Sequence, residues 1–214
     1  MNIQRIAAFS RGNAGGNPAG VVLLDAPLPS AEMARIAAEV GYSETAFAVP
    51  TDKEGWRVRY FSPESEVPFC GHAPIALGAA LGERYGAGAY ALALNEAHIT
   101  VEAAPSADGM AATLASPPTH SRAVSEAERR DALALFGLTS ADLDERLPPA
   151  RIHGGADHLI LALRDRARLA TMEYDLNAGR QVMREHGLVT IMLVHIAGNQ
   201  LFYARNAVAS GGVL

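Results

Sequence analysis

Three side chains able to move protons or attack carbon stand at breaks in the hydrophobic pattern. They are Glu44, in Tyr42-Ser43-Glu44-Thr45, and Cys70 and His72, in Cys70-Gly71-His72. Tyr42 and the apolar stretch Thr45-Ala46-Phe47 flank Glu44 and would take its carboxyl group out of water, a setting that suits general acid/base work. A glutamate judged by type alone is more often a solvated surface group; the flanks single this one out. Cys70 and His72 precede a run that is apolar on almost every side, so they stand where a loop becomes a buried helix. A thiol at a helix N-terminus has a lowered pKa and could serve as nucleophile or base, against the commoner fate of a lone cysteine as a small buried apolar residue. His72 is a donor at the same junction, and the backbone N–H groups of Gly71 to Ala73 could hold a substrate carboxylate. A two-thiol racemase mechanism is excluded within this chain, which has one cysteine.

Other motifs carry less. Gly-Asn-Ala-Gly-Gly-Asn-Pro-Ala-Gly at 12–20 has the look of a phosphate cradle, but the dinucleotide fingerprint needs a helix directly after the glycines and here a strand is expected. A turn that lets the backbone approach a neighbour or ligand fits better. The histidines at 72, 98, 120, 153, 158, 186 and 195 include no pair with the helical spacing of a zinc protease. His153 and His158 flank two glycines at a spacing that suits no common ligand set, so no metal site is expected. The 214 residues carry 18 Lys+Arg against 23 Asp+Glu, a net charge of −5, which argues against nucleic acid as the main partner. The longest apolar-or-small run, Ala73 to Gly82, is half of the roughly 20 residues a membrane-spanning helix needs, so no membrane partner is expected. One cysteine and no signal-peptide pattern point to a reducing compartment, most simply the cytoplasm.

The elements that must position these residues follow from periodicity. Strands are expected at 3–9, 21–24, 45–49 and 56–61, the last two as a hairpin. Ser30 is placed as the N-cap of a helix with Met33, Ile36, Ala37 and Val40 on its apolar stripe and Gly41 as its stop. A second helix runs from His72 to Tyr85, and further strands lie at 90–94, 98–103 and 110–114. The pattern breaks at 116–122, which sets the domain boundary: residues 1–117 and 118–214. Beyond it come a helix at 126–136, a short helical turn at 140–146, strands at 151–153 and 158–163, a helix at 175–186 and a hairpin of 189–196 with 200–206. The order strand, helix, hairpin thus occurs twice, offset by about 140 residues, the mark of an internal repeat. The first copy is followed by the apolar helix at 72–85, and the second has no counterpart to it in this chain.

The stretches GGNPAGVVLL, GYSETAFAVP and RYFSPESEVPFCGHAPIALGAAL, in this order and spacing, resemble the PhzF-like phenazine biosynthesis family, relatives of the diaminopimelate epimerases. GGADHLILAL and LFYARNAVASGGV resemble its second half. The resemblance implies an α/β (α+β) fold of two similar domains, each a curled mixed sheet around a central helix, with the site between them. It implies a cofactor-free isomerase or epimerase shifting a proton on a small carboxylate-bearing metabolite, as in the family's action on trans-2,3-dihydro-3-hydroxyanthranilate, and a homodimer. Carried over by motif, Glu44 is the general acid/base, His72 and Asn17 bind substrate with Gly71 and Ser43 beside them, and Cys70 is a bystander thiol. Pro74 departs from the threonine often found there. The family also continues into a motif resembling Glu-Asp-Pro-Ala-Thr-Gly and a second core helix. This sequence stops short of them, so the second domain is expected to lack its core helix. The alternative is an inactive relic, or a binding or scaffold protein of the same fold.

Overall fold

The computed structural model describes residues 2–12, 14–52 and 55–211. The chain divides into two compact units, Met1–Pro118 and Thr119–Leu214, a cut one residue beyond the sequence estimate.

In the first unit, β1 (Gln4–Ala8), β2 (Asn17–Leu23), β3 (Thr45–Pro50), β4 (Trp56–Phe61), β5 (Glu66–Val67), β6 (Gly88–Ala93), β7 (His98–Ser106) and β8 (Gly109–Ala115) form one mixed sheet. Its order is β1-β2-β3-β4-β6-β7-β8, with β5 added on β4. β2 begins at Asn17, earlier than expected, because residues 17–20 pair with β1 opposite 5–8. The parallel pair β2/β3 is joined through α1 (Ser30–Val40). Pro29, not Ser30, is the N-cap of α1, and the Ser30 hydroxyl accepts instead from Arg59. Gly41 ends α1 in the left-handed conformation, φ 73°, with its N–H on the Ala37 carbonyl.

Alternation along β3 and β4 sorts the side chains between two layers. Phe47, Phe61 and Val22 pack against Met33, Ile36 and Ala37 of α1. Ala46 and Ala48, paired with Tyr60 and Val58, lie on the opposite side. That side receives α2 (His72–Tyr85), which touches β1, β2, β3, β6, β7 and β8 and is therefore enclosed by the curl of the sheet. Gly78 and Gly82 permit this. A Cβ at Gly78 would stand 2.9 Å from the Ala112 methyl, and one at Gly82 would stand 2.6 Å from both Ala103 Cβ and Met110 Cγ.

In the second unit, β9 (His120–Ala123), β10 (Ala150–His153), β11 (Asp157–Ala162), β12 (Thr190–Gly198) and β13 (Leu201–Ala207) form a sheet of order β13-β12-β11-β10-β9. β9 lies in the stretch read as a break. Its four residues are exposed on an edge strand, so they carry no apolar alternation. The β11/β12 pair is parallel and joined through α4 (Arg166–Ala170) and α5 (Leu176–Glu185), and β12/β13 is an antiparallel hairpin. This repeats the β2-α1-β3-β4 order of the first unit. α3 (Glu126–Leu135) is held by a capping box between Ser125 and Glu128. The helices bury Ala132, Leu133, Leu169 and Met183 with Leu159, Leu161, Ile191 and Leu193 on one face of the sheet. The opposite face, by register, carries Ile152, Ile160, Met192, Ile196 and Phe202. The first four are half-buried and Phe202 is 51 % exposed. This is the face that corresponds to the one filled by α2 in the first unit, and among the described residues of the second unit no helix fills it. No helix of the described chain is long and apolar enough to cross a membrane.

Candidate active site

Glu44 occupies the last position of the turn between α1 and β3. Its backbone is fixed by the neighbouring strand, where the Gly20 N–H donates to the Glu44 carbonyl at 3.1 Å. The alternation that sends Phe47 toward α1 sends Glu44 toward α2. The residue is 6 % exposed, and its Oε2 is buried without a hydrogen-bond partner. His72, the first residue of α2 and 8 % exposed, brings Nε2 to 3.3 Å from that oxygen. Ser43 Oγ lies 3.5 Å from the same nitrogen. The imidazole also hydrogen-bonds the backbone carbonyl of Pro18. Burial, opposed by the Glu44 charge, lowers the His72 pKa and favours the neutral ring.

These contacts define what the pair can do. A neutral imidazole that donates to the Pro18 carbonyl has its other nitrogen as an acceptor. That nitrogen faces the Glu44 carboxyl oxygen at 3.3 Å, so the two groups stand close enough to pass a proton between them. Such an arrangement can take a proton from carbon and return one without any other side chain.

Glu44, His72 and Ser43 are thus brought together across a sequence separation that no local motif spans. Cys70 joins them: one ligating atom each of Glu44, Cys70 and His72 lie within 4.8 Å of one another. The helix terminus does not leave this thiol with a lowered pKa. Burial first, and then the Glu44 charge, push the half-buried Cys70 well above the ordinary thiol range. The Ala73 N–H is directed at the sulfur and eases this only in part. That N–H is thus directed at a group within the protein. Gly71 is exposed, and a Cβ there would meet nothing within 4 Å. Asn17 is exposed at the start of β2, one residue before the Pro18 carbonyl that His72 uses.

The residue-level reading passed over Tyr60. Its register opposite Ala46 puts it on the α2 side, it is 1 % exposed, and its hydroxyl is buried without a partner. Burial and the proximity of Cys70 raise it well above the usual phenol range, so it is a neutral hydroxyl group beside the site. The alternation of Trp56-Arg57-Val58-Arg59-Tyr60-Phe61 was a signal that could have found it.

Comparison with known proteins places this geometry in context. Residues 6–214 match the family model described as phenazine biosynthesis-like protein, PhzC-PhzF. An uncharacterized isomerase of Deinococcus radiodurans is 33% identical over 205 residues, 94% of this chain and 67% of that protein. Two solved structures share the fold. A Bacillus anthracis phenazine biosynthesis protein of the PhzF family has a TM-score of 0.77 at 23% identity, over 99% of this chain and 73% of that one. A predicted epimerase of Pseudomonas aeruginosa has a TM-score of 0.78 at 20% identity, over 97% and 78%. The chain spans about two thirds to three quarters of the length of these proteins.

Proposed function

The chain belongs to the phenazine biosynthesis-like protein family, and on that premise we propose that it acts as a cofactor-independent isomerase or epimerase on a small carboxylate-bearing metabolite, with Glu44 as general acid/base. The observation that carries this reading is the buried Glu44 Oε2, unpartnered and 3.3 Å from His72 Nε2. A carboxylate held this way is desolvated and free to accept a proton from an activated C–H bond. The electron pair left on carbon is taken up by the conjugated system of the substrate. The proton, held by Glu44 or passed to His72, returns to a second carbon, so no atom is gained or lost. His72 and Ser43 provide polar contacts for orienting the substrate, with Asn17 and Gly71 at the rim. Positioning of this kind supplies much of the acceleration in a one-base proton shift.

The test is solvent-deuterium exchange. A panel of small unsaturated amino and hydroxy carboxylates, including trans-2,3-dihydro-3-hydroxyanthranilate, is incubated with the chain in D2O, and incorporation is read by mass spectrometry. A turned-over compound is expected to acquire deuterium, and E44Q to slow this by about 10²–10⁴-fold. Incorporation at an unchanged rate in E44Q overturns the assignment. A second reading, a ligand-binding or scaffold protein of the same fold, is favoured by the half-buried apolar residues Ile152, Ile160, Met192 and Ile196, over which no helix lies among the described residues of the second unit. It predicts binding of such carboxylates with no exchange in the unsubstituted protein.

A further inference from the structure

Spacing in the sequence offers no metal site, because it cannot see across strands. The register of β9, β10 and β11 sets His120 directly opposite His153, and His153 directly opposite Asp157. Directly opposed residues project to one face of a sheet at neighbouring positions. Three ligating side chains therefore stand in a row across three strands, drawn from segments 33 residues apart and from a tight Gly154-Gly155 turn. The two imidazole rings stack at 4.6 Å with 18° between their planes. His153 Nδ1 lies 2.7 Å from Asp157 Oδ1. One ligating atom from each of the three residues falls within 4.8 Å of the others.

We propose that His120, His153 and Asp157 form a binding site for one divalent transition-metal ion of the zinc class. Ligand atoms sharing an ion at about 2.1 Å lie within about 4.2 Å of one another. The present set, within 4.8 Å, is close to that size, and His120 is exposed on the edge strand β9. Two imidazoles and one carboxylate suit zinc, cobalt or nickel, and not calcium or magnesium, which take oxygen ligands. The outer layer is also in place. Arg151 donates to Asp157 Oδ2 at 2.6 Å, so Oδ1, which lies against His153 Nδ1, is the oxygen that would face the ion, and Arg151 is itself fixed by Glu128 and by the carbonyls of His186 and Gly187. Such partners orient metal ligands and hold the geometry. The guanidiniums of Arg122 and Arg151 in the wall are paired with Glu128 and Asp157, so neither is a free anion site. The six residues His120, Arg122, Arg151, Ile152, His153 and Asp157 line an open cavity of about 390 Å³, room for the ion and exchangeable water or a small ligand.

The test is titration of the full chain with Zn²⁺ alone by calorimetry, and with Co²⁺ by visible absorption. It is run in a C70A background so that the buried Glu44, Cys70 and His72 set does not contribute. The expected result is one equivalent bound, weakened at least tenfold in H120A and likewise in H153A. The H120A change removes an exposed edge-strand side chain, and an unchanged unfolding midpoint without metal would show that its fold is intact. Equal affinity in H120A or H153A, no binding up to about 1 mM Zn²⁺, or binding of inorganic phosphate in place of zinc would each overturn the proposal.

Discussion

Replacing Glu44 by glutamine should make the protein more stable while removing its proposed chemistry. Glu44 Oε2 is buried with no hydrogen-bond partner, and the neighbouring imidazole is pushed toward its neutral form. The fold therefore holds a carboxyl group whose desolvation is offset by neither a cation nor a donor. An unsatisfied buried polar group costs about 1–3 kcal/mol, more when charged. Glutamine keeps the shape, carries no charge, and can present an amide N–H to the acceptor nitrogen of His72, 3.3 Å away in the parent. The expected gain is about 1–2 kcal/mol, or roughly 4–8 °C in midpoint for a unit of this size. Urea unfolding at pH 7.5, followed through the fluorescence of Trp56 in the first unit, measures it. If the pair were instead an ion pair of imidazolium and carboxylate, E44Q would lose about 3 kcal/mol, the cost of stranding a buried charge. A destabilised E44Q would refute the reasoning about this pair, whether or not the proposed activity holds.

Three further outcomes are expected. Gly82→Ala should destabilise the first unit by about 1–2 kcal/mol in urea, because a Cβ 2.6 Å from Ala103 Cβ and Met110 Cγ overpacks the helix against β7 and β8 by more than alanine gains in helix propensity. Glu128 is held far below the usual carboxylate range, chiefly by Arg122, then by Ser125 and Arg151. Its contribution is therefore present above pH about 4.5 and is lost as pH falls toward its depressed folded value. E128Q should cost about 3 kcal/mol at pH 7 and flatten the acid limb of the stability curve. His158 is lowered by burial and bonded to Thr190 at 2.8 Å, so the unfolded chain takes up its proton first. Stability should thus fall as pH drops below about 6.5, and H158Q should reduce that slope in urea titrations between pH 7.5 and 5.

The parts of the fold legible in the sequence are those where burial is one-sided or complete. The 3.6-residue stripe of α1 and the nearly all-apolar α2 are visible because each has a single environment along its length. β9 and β5 were invisible for the opposite reason: an exposed four-residue edge strand and a two-residue pairing leave no periodic trace. The short helix α4 has only Leu169 buried, and one residue makes no period. At the site, the apolar flanks of Glu44 announced its burial. The meeting of Glu44 with His72 depends on β3 and α2 sharing a layer, and at sequence level it rested on the resemblance. The reading of Cys70 as a helix-terminus thiol weighed the macrodipole without the desolvation that opposes it here. The row of His120, His153 and Asp157 needed strand register, which spacing alone does not supply.

The bare backbone at Gly20 governs where the Glu44 carboxyl group points. A side chain there would run into Thr45, at 2.6 Å from its hydroxyl, and the amide of the same glycine anchors the carbonyl of Glu44. The aim of the carboxylate is thus set from an adjoining strand, by a residue with no side chain to mutate. Attempts to retune the reactivity of this protein by redecorating the lining would leave that aim untouched. A methyl group added at position 20 would swing the acid off target with every reactive atom still in place.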